Sequence, residues 1–305
     1  MKGGFRLIFL LSTAFLMLAM GAYSSEPPKV VATIFPLYDI AKSICGERAK
    51  VRLLLPIGAN PHSWEPKPSE LIELEKADLV IMVGDDFEPW ADKFLSLHKG
   101  QGRPFIMRAT DGAPVIRHKG KRAIDPHIWL DFEWDMVLVR RIALTLSRLD
   151  PDGEGYYKEN ASAYNQALSE LYKQYKQCLS TCRSKTLVVG GHGAFSYLAR
   201  AFGLKQVSLY GLSPDARPSP RRMAQVVQII KSEGVSTIFF EETVTDRLAK
   251  VLSRETGAKI MTLAPGASLT KKEIEEGLGF IDLMKKNLEH LCQGLGCACY
   301  TKATE

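Results

Sequence analysis

The apolar positions between Asp152 and Cys182 obey one rule. Tyr157, Ala161, Tyr164, Leu168, Leu171, Tyr175 and Cys178 recur at alternating intervals of four and three, which puts them on one face of a helix. Asp150-Pro151-Asp152-Gly153 opens this stretch, with acid and proline where a helix N-terminus accepts them. At a rise of roughly 1.5 Å per residue, about 28 residues make a rod on the order of 40 Å, the length of a domain. On either side the pattern changes to short β-branched runs alternating with amphipathic stretches. Strand-like runs lie at 30–35, 50–55, 78–83 and 104–108 before the rod, and at 186–189, 206–210, 235–240 and 259–263 after it. Helical stretches lie between them, at 37–45, 69–77, 87–97 and 132–146, then at 194–202, 221–233, 247–256 and, closing the chain, 272–291. This alternation predicts an α/β fold of two α/β lobes with mostly parallel four-stranded sheets, joined by one long rigid α-helix. The two halves share an element order but no residue-level repeat.

The expected division is a signal peptide at 1–24, an N-terminal lobe at 25–151, the linking helix at 152–182 and a C-terminal lobe at 183–305. Lys2 and Arg6 give the first segment a basic start. Leu7 to Ala22 is apolar, and Ala22-Tyr23-Ser24 offers small residues for cleavage. The apolar run is about 16 residues, short of the roughly 20 that span a bilayer. No cysteine lies in or just after it, so there is no lipid-attachment box. A soluble periplasmic protein is expected.

Composition narrows the classes. A chain of 305 residues with 46% hydrophobic and 24% charged residues is long enough for two domains and is neither a membrane channel nor disordered. The net charge of +6 includes Lys2 and Arg6 of the removable segment, and no Arg/Lys stripe interleaves with aromatics, which argues against nucleic acid. Six cysteines, at 45, 178, 182, 292, 297 and 299, suit an oxidising compartment. Cys178 and Cys182, one helical turn apart, are the expected disulfide pair; the C-terminal trio is expected as disulfides or thiols rather than a second metal site.

Candidate chemistry rests on three of the six histidines. His62 follows the second strand through a Gly/Pro loop, His127 follows a proline and precedes a helix, and His192 lies between glycines directly after a strand. In open α/β sheets, ligands bind beyond the carboxyl ends of strands. Three imidazoles converging there, drawn from both lobes, suit a borderline cation such as Zn²⁺. Asp125 and Asp131 flank His127 and could orient its ring, Glu65 follows His62 by three, and Trp64 and Trp129 could wall the site. His98, His118 and His290 read as surface residues. Three histidines and a metal-bound water could also serve a zinc hydrolase, but the chain lacks a His-Glu-x-x-His pair and a Gly-x-Ser-x-Gly turn. A metal-dependent adhesin or sensor is a further alternative.

With these residues in view, the chain resembles the ZnuA/TroA-type zinc and manganese solute-binding proteins of ABC importers. The likeness is carried by Val31-Ala-Thr-Ile-Phe-Pro36, Asn60-Pro-His-Ser-Trp-Glu-Pro66, Asp125-Pro-His-Ile-Trp-Leu-Asp131, Gly191-His-Gly-Ala-Phe195, Gly211-Leu-Ser-Pro214 and Phe240-Glu241. It runs from about Lys29 to Leu291. The resemblance implies a metal between two lobes, with His62, His127 and His192 as ligands, and delivery of the ion to a membrane permease by a monomeric, non-enzymatic protein. The aspartate many relatives use as fourth ligand aligns near Ala267, where no carboxylate stands. Some zinc members carry a glutamate before the first histidine; here that position is Pro61. Glu241 is the candidate for the fourth position. Three neutral imidazoles favour Zn²⁺, with Mn²⁺ as the alternative, since manganese prefers oxygen ligands. Protons are expected to compete for the imidazoles near pH ~6.5.

Overall fold

In the computed structural model, described for residues 26–84, 87–97, 104–117, 124–212, 218–241 and 247–301, each half is one parallel sheet wrapped in helices. The first half runs β1 (Lys29–Ala32), α1 (Phe35–Cys45), β2 (Lys50–Leu53), α2 (Pro68–Glu75), β3 (Leu79–Met82), α3 (Ala91–Leu97), β4 (Phe105–Arg108) and α4 (Phe132–Leu149). Next comes α5 (Glu154–Ser180), entered through a 3-10 turn at Pro151–Gly153. The second half runs β5 (Thr186–Val189), α6 (Ser196–Ala201), β6 (Lys205–Ser208), α7 (Pro220–Ser232), β7 (Thr237–Phe240), α8 (Arg247–Thr256) and β8 (Lys259–Thr262), then α9 (Lys271–Glu275), α10 (Phe280–Gly294) and α11 (Ala298–Thr301).

The sheets have strand orders β2-β1-β3-β4 and β6-β5-β7-β8, all parallel. The same topology thus occurs twice. In each, the chain leaves the first strand to one side and returns to the other, so a crevice opens at the carboxyl ends where the order reverses. The central strands β3 and β5 are buried along their whole length and carry only apolar or β-branched residues, as strands covered on both faces must.

The long helix joins the halves through its apolar face. Tyr157, Ala161, Tyr164, Leu168, Leu171, Tyr175 and Leu179 are buried, in a core that is continuous from Val30 in β1 to Cys297 near the C-terminus. Three tyrosine hydroxyls fix its register. Tyr157 donates to Asp150 (2.7 Å), Tyr164 to Asp39 of α1 (2.8 Å) and Tyr175 to the Met284 carbonyl of α10 (2.6 Å). Arg48 grips the same Asp150 through Nε and Nη2, both at 3.0 Å, which anchors the entry to α5.

The structure corrects three expectations. The closing helix is two helices. Thr270 and Glu273 cap the first reciprocally, the chain turns at Gly277 with φ of 66°, and α10 starts afresh after Gly279. Cys178 does not pair with Cys182: Cys182 bonds Cys297, whose segment returns beside the end of α5, while Cys178 meets Cys292 and Cys299. His290 is half-buried, with Nδ1 2.9 Å from the Thr262 carbonyl, rather than a free surface residue. The expected signal segment, His98 and His118 lie outside the described residues.

Candidate metal centre

Each histidine is held by its own local device. Asn60 accepts from the His62 amide at 3.0 Å, and the Trp64 amide closes onto the Asn60 carbonyl at 3.0 Å, so the loop after β2 folds back as a tight turn. His127 opens a 3-10 turn at Ile128–Leu130, and its backbone N–H donates to Asp125 Oδ1 (3.1 Å). His192 follows β5 through Gly190-Gly191. A Cβ at Gly190 would lie 3.0 Å from the Ala249 side chain and 3.3 Å from that of Ile238, so glycine lets the turn sit close to α8 without crowding it.

These devices bring three imidazoles together. The ring centroids of His62, His127 and His192 are 5.1 to 5.3 Å apart, and one nitrogen from each lies within 4.8 Å of the other two. His127 and His192 are buried and His62 is half-buried at the mouth of a cavity of about 100 Å³, which Glu241, Asn60 and Ala267 also line. That volume holds an ion and a few waters and is well below the roughly 300–1,000 Å³ of ordinary small-molecule pockets.

Proton positions decide what the site can do. His127 Nδ1 is 2.8 Å from buried Asp125 Oδ1, so the carboxylate takes the Nδ1–H and Nε2 keeps its lone pair. Burial opposes ionisation of Asp125, but the hydrogen bond from His127 outweighs it and holds the carboxyl below its usual value. On His192, Nδ1 faces Glu241 Oε1 at 2.6 Å, a contact too poorly aligned for either atom to complete a hydrogen bond. A carboxylate there again favours the proton on Nδ1. The two Nε2 atoms are then left facing each other at 3.1 Å. Two lone pairs at that distance repel unless a cation or a shared proton lies between them.

Two of the imidazoles, His62 and His127, are also kept neutral. Burial, then the neighbouring His127 and His192, pushes the His62 pKa down to about 2. Burial lowers that of His127 against the pull of Asp125. Competition by protons near pH ~6.5, expected from free imidazole, is therefore displaced for His62 to far more acid conditions.

The other candidates divide. Asp125 and Glu241 stand behind the imidazoles. Asp131 does not reach the cluster: it caps α4 through the Trp134 amide (3.2 Å) and pairs with Arg200 (3.0 Å). Glu65 is exposed and does not line the cavity. Trp129 packs 5.3 Å from the His127 ring, with its Nε1 donating to the Pro265 carbonyl, while Trp64 turns away onto Trp90. Phe87 takes the place expected of Trp64, edge-on to His62 at 5.0 Å. Ala267 lines the cavity, its side chain too short to reach an ion.

Two further residues escape a reading of the sequence. Buried Glu88 accepts from Thr33 Oγ1 (2.5 Å) and the amides of Val83 and Gly84 (3.0 and 2.8 Å), tying the ends of β1 and β3 beneath the site. The Tyr197 hydroxyl donates to the Asp125 carbonyl (2.7 Å) and accepts from the Ile116 amide (3.1 Å), pinning the His127 loop to α6. An isolated Glu or Tyr in a helical stretch gives no periodic signal of such a role.

Comparison with known proteins gives the family. The family model for ZnuA, described as zinc-uptake complex component A, periplasmic, matches residues 30–294. The chain is 33% identical over 313 residues to the high-affinity zinc uptake system protein ZnuA of Bacillus subtilis, covering 94% of this chain and 97% of that protein. It is also 33% identical over 284 residues to the zinc-binding protein AdcA of Streptococcus pyogenes, covering 86% of this chain and 55% of that longer protein. Among solved structures, the Zn(II)-bound ZnuA-like domain of Streptococcus pneumoniae AdcA superposes with a TM-score of 0.77 at 35% identity, covering 88% of this chain and 98% of the domain. The chain belongs to the ZnuA family of zinc-uptake components.

Proposed function

We propose that this protein binds Zn²⁺ between its two lobes, outside the cytoplasm, and hands the ion to the membrane permease of an ABC importer. The observation that carries the reading is the pair of Nε2 atoms 3.1 Å apart, each backed at Nδ1 by a carboxylate, with the His62 ring beside both. Two nitrogens on one tetrahedral zinc, each at about 2.0–2.1 Å, stand roughly 3.4 Å apart, so a cation fits with little adjustment. His62, His127 and His192 are the proposed ligands. The fourth position goes to water or, if it gives up its contact with His192 Nδ1, to Glu241. Asp125 holds the His127 tautomer.

Nitrogen donors without a carboxylate near Ala267 support Zn²⁺ over Mn²⁺. Binding and release suit a cavity of about 100 Å³, well below the roughly 300–1,000 Å³ of ordinary small-molecule pockets. All three imidazoles come from one chain, so a monomer suffices. Among the described residues no helix is long and apolar enough to cross a membrane. The test is equilibrium competition against a chromogenic chelator. One Zn²⁺ per chain is expected, bound far more tightly than Mn²⁺; equal affinities for the two ions would refute the choice of metal.

A further inference from the structure

Five of the six cysteines gather at one end of the long helix. Cys178 and Cys182 come from the end of α5 and the residue pair after it, Cys292 from α10, Cys297 from the turn after α10 and Cys299 from α11. Cys182 and Cys297 are bonded across an antiparallel bridge. Cys178 faces both Cys292 and Cys299 and can bond only one of them at a time, and those two sulfurs are 3.6 Å from each other. The Cα separations, 5.5 Å to Cys299 and 6.7 Å to Cys292, both lie in the range a disulfide spans. The sixth cysteine cannot balance the count. Cys45 is sealed in the core at the end of α1, its thiol pushed up to about 12 by burial. Five sulfurs make at most two disulfides, so one of Cys178, Cys292 and Cys299 is unpaired in a fully oxidised chain, and Cys178 is the sulfur both others reach.

We propose that Cys178, Cys292 and Cys299 form a disulfide-exchange triad that presents a reactive thiol at Cys299 to small-molecule disulfides. In the first step the Cys292 thiolate attacks Cys178 Sγ. The Cys178–Cys292 bond forms, the Cys178–Cys299 bond breaks, and Cys299 leaves as thiolate, taking up the proton that Cys292 lost; no net oxidation occurs. In the second, the Cys299 thiolate attacks an external disulfide, forming a mixed disulfide and releasing one thiolate. The two positions differ in access. Cys292 is buried in α10, whereas Cys299 is partly exposed near the chain end, so exchange moves the thiol from a shielded place to an open one. Capping Cys299 would lock α5 to α10 and untie the C-terminal turn at that point.

The full chain, purified without reductant, is incubated with oxidised glutathione, quenched in acid and alkylated. Cys178 and Cys182 share one tryptic peptide and Cys292, Cys297 and Cys299 another, so linkages are read from fragment ions within the linked pair. One glutathione is expected, on Cys299, together with a Cys178–Cys292 bond. Without glutathione, both Cys178 linkages are expected in the same sample. Cys292→Ser should keep Cys178–Cys299 and take up no glutathione. The wild-type reading is decisive even if that variant folds poorly. A single Cys178 linkage with no adduct, or an adduct on Cys292, would overturn the triad. So would thiols at all five positions with Zn²⁺ retained after His127→Ala, which would make the cluster a thiolate metal site.

Discussion

At the residue scale, the site depends on which imidazole nitrogen carries the proton. Asp125 sets this for His127, so Asp125→Asn should weaken zinc binding by about 10–100-fold with the fold intact, read by chelator competition. Glu65→Gln, on an exposed side chain away from the cavity, should change nothing in the same titration. Acid acts in a defined direction. His62 and His127 titrate lower in the folded chain than in the unfolded one, where the ordinary value is about 6.5. The unfolded state therefore takes up protons first. The stability these residues contribute is present above pH ~6.5 and is lost as pH falls below it, at about 1.4 kcal/mol per pH unit for each histidine. Urea unfolding of the metal-free protein at pH 7 and pH 5 should show this loss, and His62→Gln should reduce it; equal losses in both proteins would rule out His62 as a source. The positions of His62, His127 and His192 could be read from the chain because each follows a strand or a tight turn signal. Phe87, Glu88 and Tyr197 could not, because their roles arise only from the way separate elements meet.

At the element scale, hydrophobic period located every strand and nearly every helix. The long helix was legible because alternating intervals of four and three keep one apolar face along its length, and the tyrosines on that face are the residues that bind both neighbouring lobes. What failed was the closing helix, where periodicity runs on through residues 272–291 but Gly277 at positive φ and the cap at Thr270 divide it. The cysteine pairing failed for a related reason: two thiols one turn apart look like natural partners until α10 brings three more sulfurs to the same place. Close packing of these elements gives a further prediction. A Cβ at Gly294 would press into the ring of Phe239 and the methyl of Thr237, so Gly294→Ala should cost about 1–3 kcal/mol by urea unfolding. Because Phe239 lies in β7, which leads to Glu241, zinc affinity should fall as well; a variant as stable as the parent would mean that α10 and β7 can separate freely.

At the scale of the whole molecule, one helix packs against both lobes within a single continuous core, and three of its tyrosines are hydrogen-bonded at points spread along its length. Bending the lobes apart would break that core, so loading and release should proceed by local movement around the His62 loop and Glu241. Solution scattering should give radii of gyration for the zinc-free and zinc-loaded protein that agree closely; a difference of several ångströms would show a hinge that this architecture does not provide. The two sheets share one strand order, and the site lies where both crevices meet, which is why its residues come from segments 65 positions apart or more. The most direct measurement is X-ray absorption at the zinc edge on the protein loaded with one equivalent. Three imidazole nitrogens at about 2.0–2.1 Å, with one further nitrogen or oxygen scatterer, are predicted. Sulfur scatterers at about 2.3 Å would place the ion in the cysteine cluster and contradict the site between the lobes.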